Sequence, residues 1–358
     1  MFDYKWKSMS ELPIQEGLPN FFKTDDEMTT KNWENQRIYL KEMLAHYLYG
    51  HIPPTPMDLH SKINYERPIY NGKGIERNFS IIYSKDDSLS FSVRLVYPSI
   101  KGSFPVIVKN SESENELCPI EEELIDRGYA LATFNRVSIA KDSADRDNGI
   151  FKLYNNYDFG VIAAWAWGHS ITIEHLLLLP FIDKEGICVT GHSRGAKAAL
   201  CAAIYDDRIK VVAAAGSGSG GLGSIRFLGE HNIATQDPTK CESLGNIVAA
   251  FPYWWSKEIV PFANPERPHR IKDELRLPFD LHFIRALIAP RGVISTDGLE
   301  DYWTNPYGTK LSHTASEKAF NLFNARENNQ IFFRSGGHAQ NKEDWSAFLT
   351  FSDLVLKR

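Results

Sequence analysis

From Phe104 onward the chain alternates short apolar runs with helix-length stretches, and that alternation restricts the fold more than any other feature. FPVIVKN, YALATFN, GICVTG, IKVVAAA, RGVIST and QIFFRSG are largely apolar or β-branched, the form of strands buried on both faces of a mainly parallel sheet. Between most of them lie helical stretches at 119–127, 159–179, 194–205, 312–326 and 342–356. Such alternation predicts an α/β chain in which a mainly parallel central sheet carries helices on both faces, a three-layer α/β/α sandwich. Ahead of this region, ERNFSIIYS and LSFSVRLVYP flank Lys85, Asp86, Asp87 and Ser88, a β-hairpin signal. Residues 25–50 place Trp33, Ile38, Leu40, Met43, Leu44, Tyr47 and Leu48 near helical spacing until Gly50, Pro53 and Pro54 end the pattern. Residues 1–75 therefore read as an N-terminal helical extension. The irregular interval 222–276, with FPYWWSKEIVPF in its middle, reads as an insertion that walls or lids a cleft. With no repeat and no long Pro/Gly/Ser linker, one domain over 1–358 is expected although the length equals about two average domains.

The chemistry centres on Gly191-His192-Ser193-Arg194-Gly195, which directly follows the strand-like GICVT and directly precedes the helix-prone AKAALCAAIY. G-x-S-x-G in a strand, sharp turn, helix context is the nucleophile elbow. Small residues are needed two before and two after the serine because the turn is too tight for side chains there. The serine Oγ is thereby held at the sheet edge and at a helix N-terminus, which favours developing negative charge. A serine hydroxyl needs a base, and the base needs an orienting carboxylate. In the α/β-hydrolase fold, which the entering hairpin also suits, these follow the serine in the order acid, then histidine. His338 fits, in Ser335-Gly336-Gly337-His338 after the last predicted strand. The acid falls among Asp297, Glu300 and Asp301 in TDGLEDYWTNP. Spacing does not separate them, and Asp297 before Gly298 could instead cap a turn.

Composition removes several function classes. Forty Lys plus Arg against 45 Asp plus Glu give a net charge of −5, so no nucleic-acid partner is expected. No apolar run approaches the roughly 18 residues of a membrane span, so no membrane association is expected. The N-terminus MFDYKWKSMSELPIQEG lacks a secretory h-region and cleavage site; as written the chain is expected in the cytoplasm, or it is a mature secreted protein whose signal has been removed. Cys118, Cys188, Cys201 and Cys241 form neither a C-x-x-C pair nor a zinc pattern, and buried free thiols are expected, with no metal and no cofactor. The aromatic fraction is high at 12%, with 8 Trp and 15 Tyr, which allows for a stacking surface. Trp165 and Trp167 are expected in the core, and Trp33 and Trp345 against the first and last helices.

An ordered set of segments resembles the glucuronoyl esterases of carbohydrate esterase family 15, particularly bacterial members. It runs from about Arg37 to the C-terminus and comprises GHSRGAKAAL, SGSGG at 217–221, Gly229-Glu230, FPYWW, LPFDLHFIRALIAPR, EDYWTNP and a terminal GGH followed by DW. The resemblance implies a serine esterase of the α/β-hydrolase fold that cleaves (4-O-methyl-)glucuronic acid esters, as in lignin–carbohydrate linkages of glucuronoxylan, through an acyl-enzyme. It implies Ser193 as nucleophile, His338 as base, and Arg194 as an oxyanion contact through N–H and guanidinium. It implies sugar contacts from Lys197, Glu230 and Trp303, so that Trp303, with Trp254 or Trp255, is expected on a cleft wall. Fungal members carry a glutamate directly before the serine of SGSGG, where this chain has Gly216; bacterial members resembling this chain often use the aspartate two before the tryptophan instead, which puts Asp301 ahead of Glu300 and Asp297. A second oxyanion N–H is expected near Lys109 to Ser111. Arg194 and Lys197 flank the serine with two cations, which suits a uronate better than an acyl chain. The substrate is then a glucuronoxylan-derived or small glucuronate ester, and a monomer is expected. An acetyl-xylan or other carbohydrate deacetylase shares the triad, and a non-catalytic carbohydrate-binding homologue is the different-class alternative.

Overall fold

The computed structural model describes residues 4–229 and 238–357. In chain order the main elements are α1 (Thr30–Leu44), β1 (His60–Ile69), β2 (Gly74–Ile82), β3 (Ser90–Pro98), β4 (Phe104–Ser111), α2 (Glu121–Asp126), β5 (Ala130–Asn135), α3 (Gly149–Leu153), α4 (Val161–Leu176), β6 (Ile182–His192), α5 (Arg194–Tyr205), β7 (Val211–Ala215), α6 (Leu244–Ala250), α7 (His282–Ile288), β8 (Gly292–Gly298), α8 (Pro306–Asn321), β9 (Asn329–Arg334) and α9 (Lys342–Leu356). The strands form one nine-stranded sheet in the order β1-β2-β3-β5-β4-β6-β7-β8-β9. β1, β2, β3 and β5 pair antiparallel, while β5, β4, β6, β7, β8 and β9 pair parallel. This is the α/β-hydrolase fold.

Alternate residues of the central strands enter two separate cores. Val106, Val108, Ala132, Val189, Val212 and Val293 join the core under α1, α4, α5 and α7. Ile107, Leu131, Cys188, Val211, Ala213 and Ile294 join the core under α2 and α9. Both faces are dry, so these strands read as continuous apolar runs. None of the four cysteines forms a disulfide, and all four are buried among them or nearby. The helix α1 passes into a π-helical turn, Ala45–Tyr49, that ends at Gly50, whose φ is +77°. A Cβ there would lie 2.3 Å from Phe159 Cα, so only glycine lets the first helix dock against the start of α4. Among the described residues no helix is long and apolar enough to cross a membrane.

Three differences from the sequence expectations have physical causes. The N-terminal extension is not wholly helical, because β1 within 1–75 is the sheet's edge strand; HSKINYERPI is mostly exposed and carries Lys62, Glu66 and Arg67, charges of the kind by which edge strands resist further pairing, so it shows no sustained apolar period. The helix α7 was not expected, since all seven of its residues are buried, Arg285 included, and a helix covered all round has no polar face to reveal its period. The helix α8 starts at Pro306 rather than Ser312, with Asn305 as its N-cap accepting from Gly308 N–H at 3.0 Å; Pro at the first helical position is the signal that marks it.

The sheet order fixes where chemistry belongs. From β4 the chain goes to β5 on one side and returns to β6 on the other, and ligands in such sheets bind beyond the strand C-termini at that reversal. The C-terminal end of β6 leads directly into Ser193.

Candidate active site

Ser193 sits between β6 and α5 with φ 55° and ψ −121°, a left-handed backbone that a non-glycine residue holds only when its surroundings force it. The surroundings do so here. Ser193 N–H is fixed to Ala215 C=O at 2.8 Å. A Cβ on Gly191 would stand 2.3 Å from Gly195 O, and one on Gly195 would stand 2.5 Å from Asn110 Oδ1. Both glycines of the motif are therefore steric requirements. The first N–H groups of α5, at Arg194 and Gly195, have no carbonyl within their own helix to bond and point their dipole toward the serine's side.

His338 lies on the loop between β9 and α9, and its Nδ1 is 2.6 Å from Asp301 Oδ2. Asp301 is buried, whereas the His338 side chain is 39% exposed, so the acid side is dry and the working side faces the cavity. The two loops are strapped together. Leu299 N–H donates to Arg334 C=O at 2.8 Å, Glu300 N–H donates to Gly336 C=O at 3.2 Å, and the Glu300 carboxylate accepts from Gly336 N–H. Buried Arg334 braces the histidine loop from below through Ser335, Gly337 and Ala339 carbonyls and the Asp344 carboxylate. His192 packs on the imidazole with ring centroids 4.4 Å apart; burial, with His338 beside it, pushes its pKa down to about 4, so the flank it offers is neutral.

The three carboxylates are thus separated by geometry. Asp301 meets the histidine, Glu300 ties loops, and Asp297 is buried inside β8, where it caps no turn. Burial pushes Asp297 up to about 7 against the opposing pull of Arg285. Gly216 has φ +54°, and a Cβ there would be 3.2 Å from His338 Nδ1 and 3.5 Å from Asp301 Oδ2. A side chain at 216 would therefore reach the same imidazole edge that Asp301 occupies.

Ser193, Arg194, Lys197, Gly216, Glu242, Phe251, Trp254, Trp303 and His338 line one cavity of about 330 Å³, at the small end of ligand pockets. No hydrogen bond joins Ser193 Oγ to His338 among the described residues; such contacts are often long without substrate and tighten in the reacting complex. Lys197, one turn along α5 from the serine, is buried rather than solvated and donates to Ser217 C=O at 2.6 Å and Glu242 Oε2 at 3.2 Å. Burial lowers its pKa against the pull of Glu242. Glu242 also accepts from Ser219 N–H at 3.0 Å and from Trp303 Nε1 at 3.2 Å. Trp303 is 46% exposed at the rim. Arg194 is ion-paired with Asp142 and lies over the rings of Phe251 and Trp254, 5.3 and 5.0 Å from their centroids.

Several expectations need correction. Arg194 and Lys197 do not make the cavity cationic, because Asp142 and Glu242 each pair with one of them. Lys109, Asn110 and Ser111 close β4 beside β5, where the Asn110 side chain holds Gly195 C=O at 2.8 Å and His169 at 2.7 Å. Trp254 lines the cavity, while Trp255 lines a neighbouring one and packs on Gly220. Trp33, Trp165, Trp167 and Trp345 are buried as expected. Glu230 lies outside the described residues. Glu242, Asp142 and Arg334 were missed: the first two lie in irregular segments, and Arg334 closes a strand that patterning reads only as apolar. Among the described residues no cluster of His, Cys, Asp and Glu could hold a metal ion.

Comparisons with known proteins agree on one family. Residues 81–324 match the sequence profile described as glucuronyl esterase, fungi. Carbohydrate esterase MZ0003 from an unknown prokaryotic organism is 29% identical over 65% of this chain and 55% of its own. The 4-O-methyl-glucuronoyl methylesterase of Hypocrea jecorina is 27% identical over 88% of this chain and 63% of its own. The chain thus spans less than two thirds of the length of these curated relatives. A solved family 15 glucuronoyl esterase from Caldicellulosiruptor kristjansonii superposes with a TM-score of 0.78 at 27% identity, covering 98% of this chain and 93% of the other. With the profile matching well over half of its length, the chain belongs to the glucuronyl esterase family.

Proposed function

We propose that this chain is a serine esterase that hydrolyses esters of (4-O-methyl-)glucuronic acid. The observation that carries the reading is the 2.6 Å His338–Asp301 contact on the cavity that Ser193 lines. His338, held in one tautomer by Asp301, takes the Ser193 proton as Oγ attacks the C6 carbonyl. The C–O π bond becomes an alkoxide, which Arg194 meets with its N–H and guanidinium. Collapse expels the alcohol, protonated by His338, and leaves an acyl-serine. Water, deprotonated by His338, then repeats the attack and releases glucuronate. Each proton transfer is carried by groups of the protein, so the sequence of steps calls for no metal or cofactor.

The substrate class rests on the other wall. Lys197 and Glu242 form a buried donor–acceptor pair, and Trp303 adds a half-exposed ring, a combination that suits vicinal hydroxyls on a sugar ring better than an alkyl chain. The relatives named as 4-O-methyl-glucuronoyl methylesterases support the same substrate. The test is hydrolysis of methyl or benzyl glucuronate beside acetylated xylan and p-nitrophenyl acetate. Turnover of the glucuronate esters is expected; turnover of the acetyl substrates alone would keep the esterase and discard the uronate.

A further inference from the structure

Arg194 is held by more than its place in the helix. We infer that Asp142 is the positioning residue for Arg194, fixing the guanidinium where the alkoxide forms. One oxygen of Asp142 pairs with Arg194 Nη1, and the other accepts from Trp254 Nε1 at 2.6 Å. Trp254 is in turn stacked on Phe251 at 4.0 Å between centroids and 7° between planes, and this ring pair is the surface on which the guanidinium rests. A single carboxylate thus ties the cation to the platform beneath it.

The loop that carries Asp142 is itself fixed. Asp142 C=O accepts from Tyr253 OH at 3.1 Å, Ala140 C=O from Trp165 Nε1 at 2.9 Å, and Asn148 Oδ1 from Lys141 N–H at 2.8 Å. Only Nη1 of Arg194 is hydrogen-bonded among the described residues, which leaves donors for an oxyanion. An unheld arginine has many rotamers, and preorganised donors act because their orientation is settled before reaction. Ion pairs of partly exposed side chains add little stability. The Arg194 and Asp142 side chains are 32% and 21% exposed, so the loss should fall on turnover rather than on folding.

The inference rests on the esterase reading, and a mutant cycle separates the two. Asp142→Asn, which keeps an acceptor for Trp254, is measured alone and with Arg194→Ala on methyl glucuronate, or on p-nitrophenyl acetate should only that be turned over. We expect Asp142→Asn to lower kcat about tenfold or more, up to the ~10²- to 10³-fold cost of losing an oxyanion donor outright, with KM changed less than about threefold. In the Arg194→Ala background the same substitution should change kcat less than about twofold, and Asp142→Glu should recover part of the loss. An equal loss in both backgrounds, or wild-type kcat for Asp142→Asn, overturns the inference. Should Asp142→Asn not fold, Trp254→Phe, which frees the other carboxylate oxygen and so cuts the tie between Asp142 and the ring beneath Arg194, replaces it in the cycle with the same two outcomes. Wild-type protein inactive on both esters would instead remove the esterase reading.

Discussion

The two halves of the cavity are built differently. Ser193, Asp301 and His338 each stand within a few residues of the C-terminal end of a parallel strand, β6, β8 or β9. Glu242, Phe251 and Trp254 come from the long irregular passage after β7, and Asp142 from the loop after β5. The first half inherits its precision from the sheet ladder. The second depends on side-chain bonds, such as the Ser243 and Asn246 capping box that starts α6 next to Glu242. On the proposed function the contrast implies a division of labour in which strand ends carry the reacting groups, while the other half holds the sugar through Glu242 and braces Arg194 through Asp142 and Trp254.

The largest effect should come from the strand-end half. Ser193→Ala is expected to remove turnover by a factor of ~10⁴ or more while the protein still binds glucuronate. Asp301→Asn should cost kcat ~10³- to 10⁴-fold by favouring the wrong imidazole tautomer, whereas Asp297→Asn should leave kcat within about threefold; steady-state kinetics on the three proteins decides it, and the reverse order would reassign the acid. On the inserted wall, Glu242→Gln should raise KM about tenfold with kcat little changed, because contacts made equally to substrate and transition state appear in KM. A fall in kcat matching that of Asp301→Asn would dissolve the division.

The smallest effect is on stability. Asp297 has its pKa raised by burial from 3.8 to about 7. Between about pH 4 and pH 7 the folded chain keeps a proton that the unfolded chain has released, so Asp297 makes stability fall as pH rises through that window. The total is on the order of 4 kcal/mol. Asp297→Asn should flatten that part of the profile, as read by denaturant unfolding at pH 4, 5.5 and 7. An unchanged slope would mean that the carboxyl is ionised in the folded state.

Legibility in the sequence followed the same division. The central strands were readable because burial on both faces leaves uninterrupted apolar runs, and the elbow was readable because Gly191 and Gly195 are sterically required beside Ser193. His338 could be found by its position after the last strand. Asp301 could not be separated from its neighbours by spacing, because the choice depends on where two loops strap together through Glu300 and Gly336. Glu242 and Asp142 left no local trace, since each is chosen by a cation distant in sequence, Lys197 or Arg194. Reading those cations alone suggested an electropositive pocket; their partners make it a paired one.

The most direct test is a crystal structure of Ser193→Ala with methyl 4-O-methyl-glucuronate bound. The account predicts the ester carbonyl beside position 193 and Arg194, the ring hydroxyls on Lys197 and Glu242, and the sugar against Trp303. An ester bound with its carbonyl away from His338, or its ring off the Lys197–Glu242 pair, would contradict it.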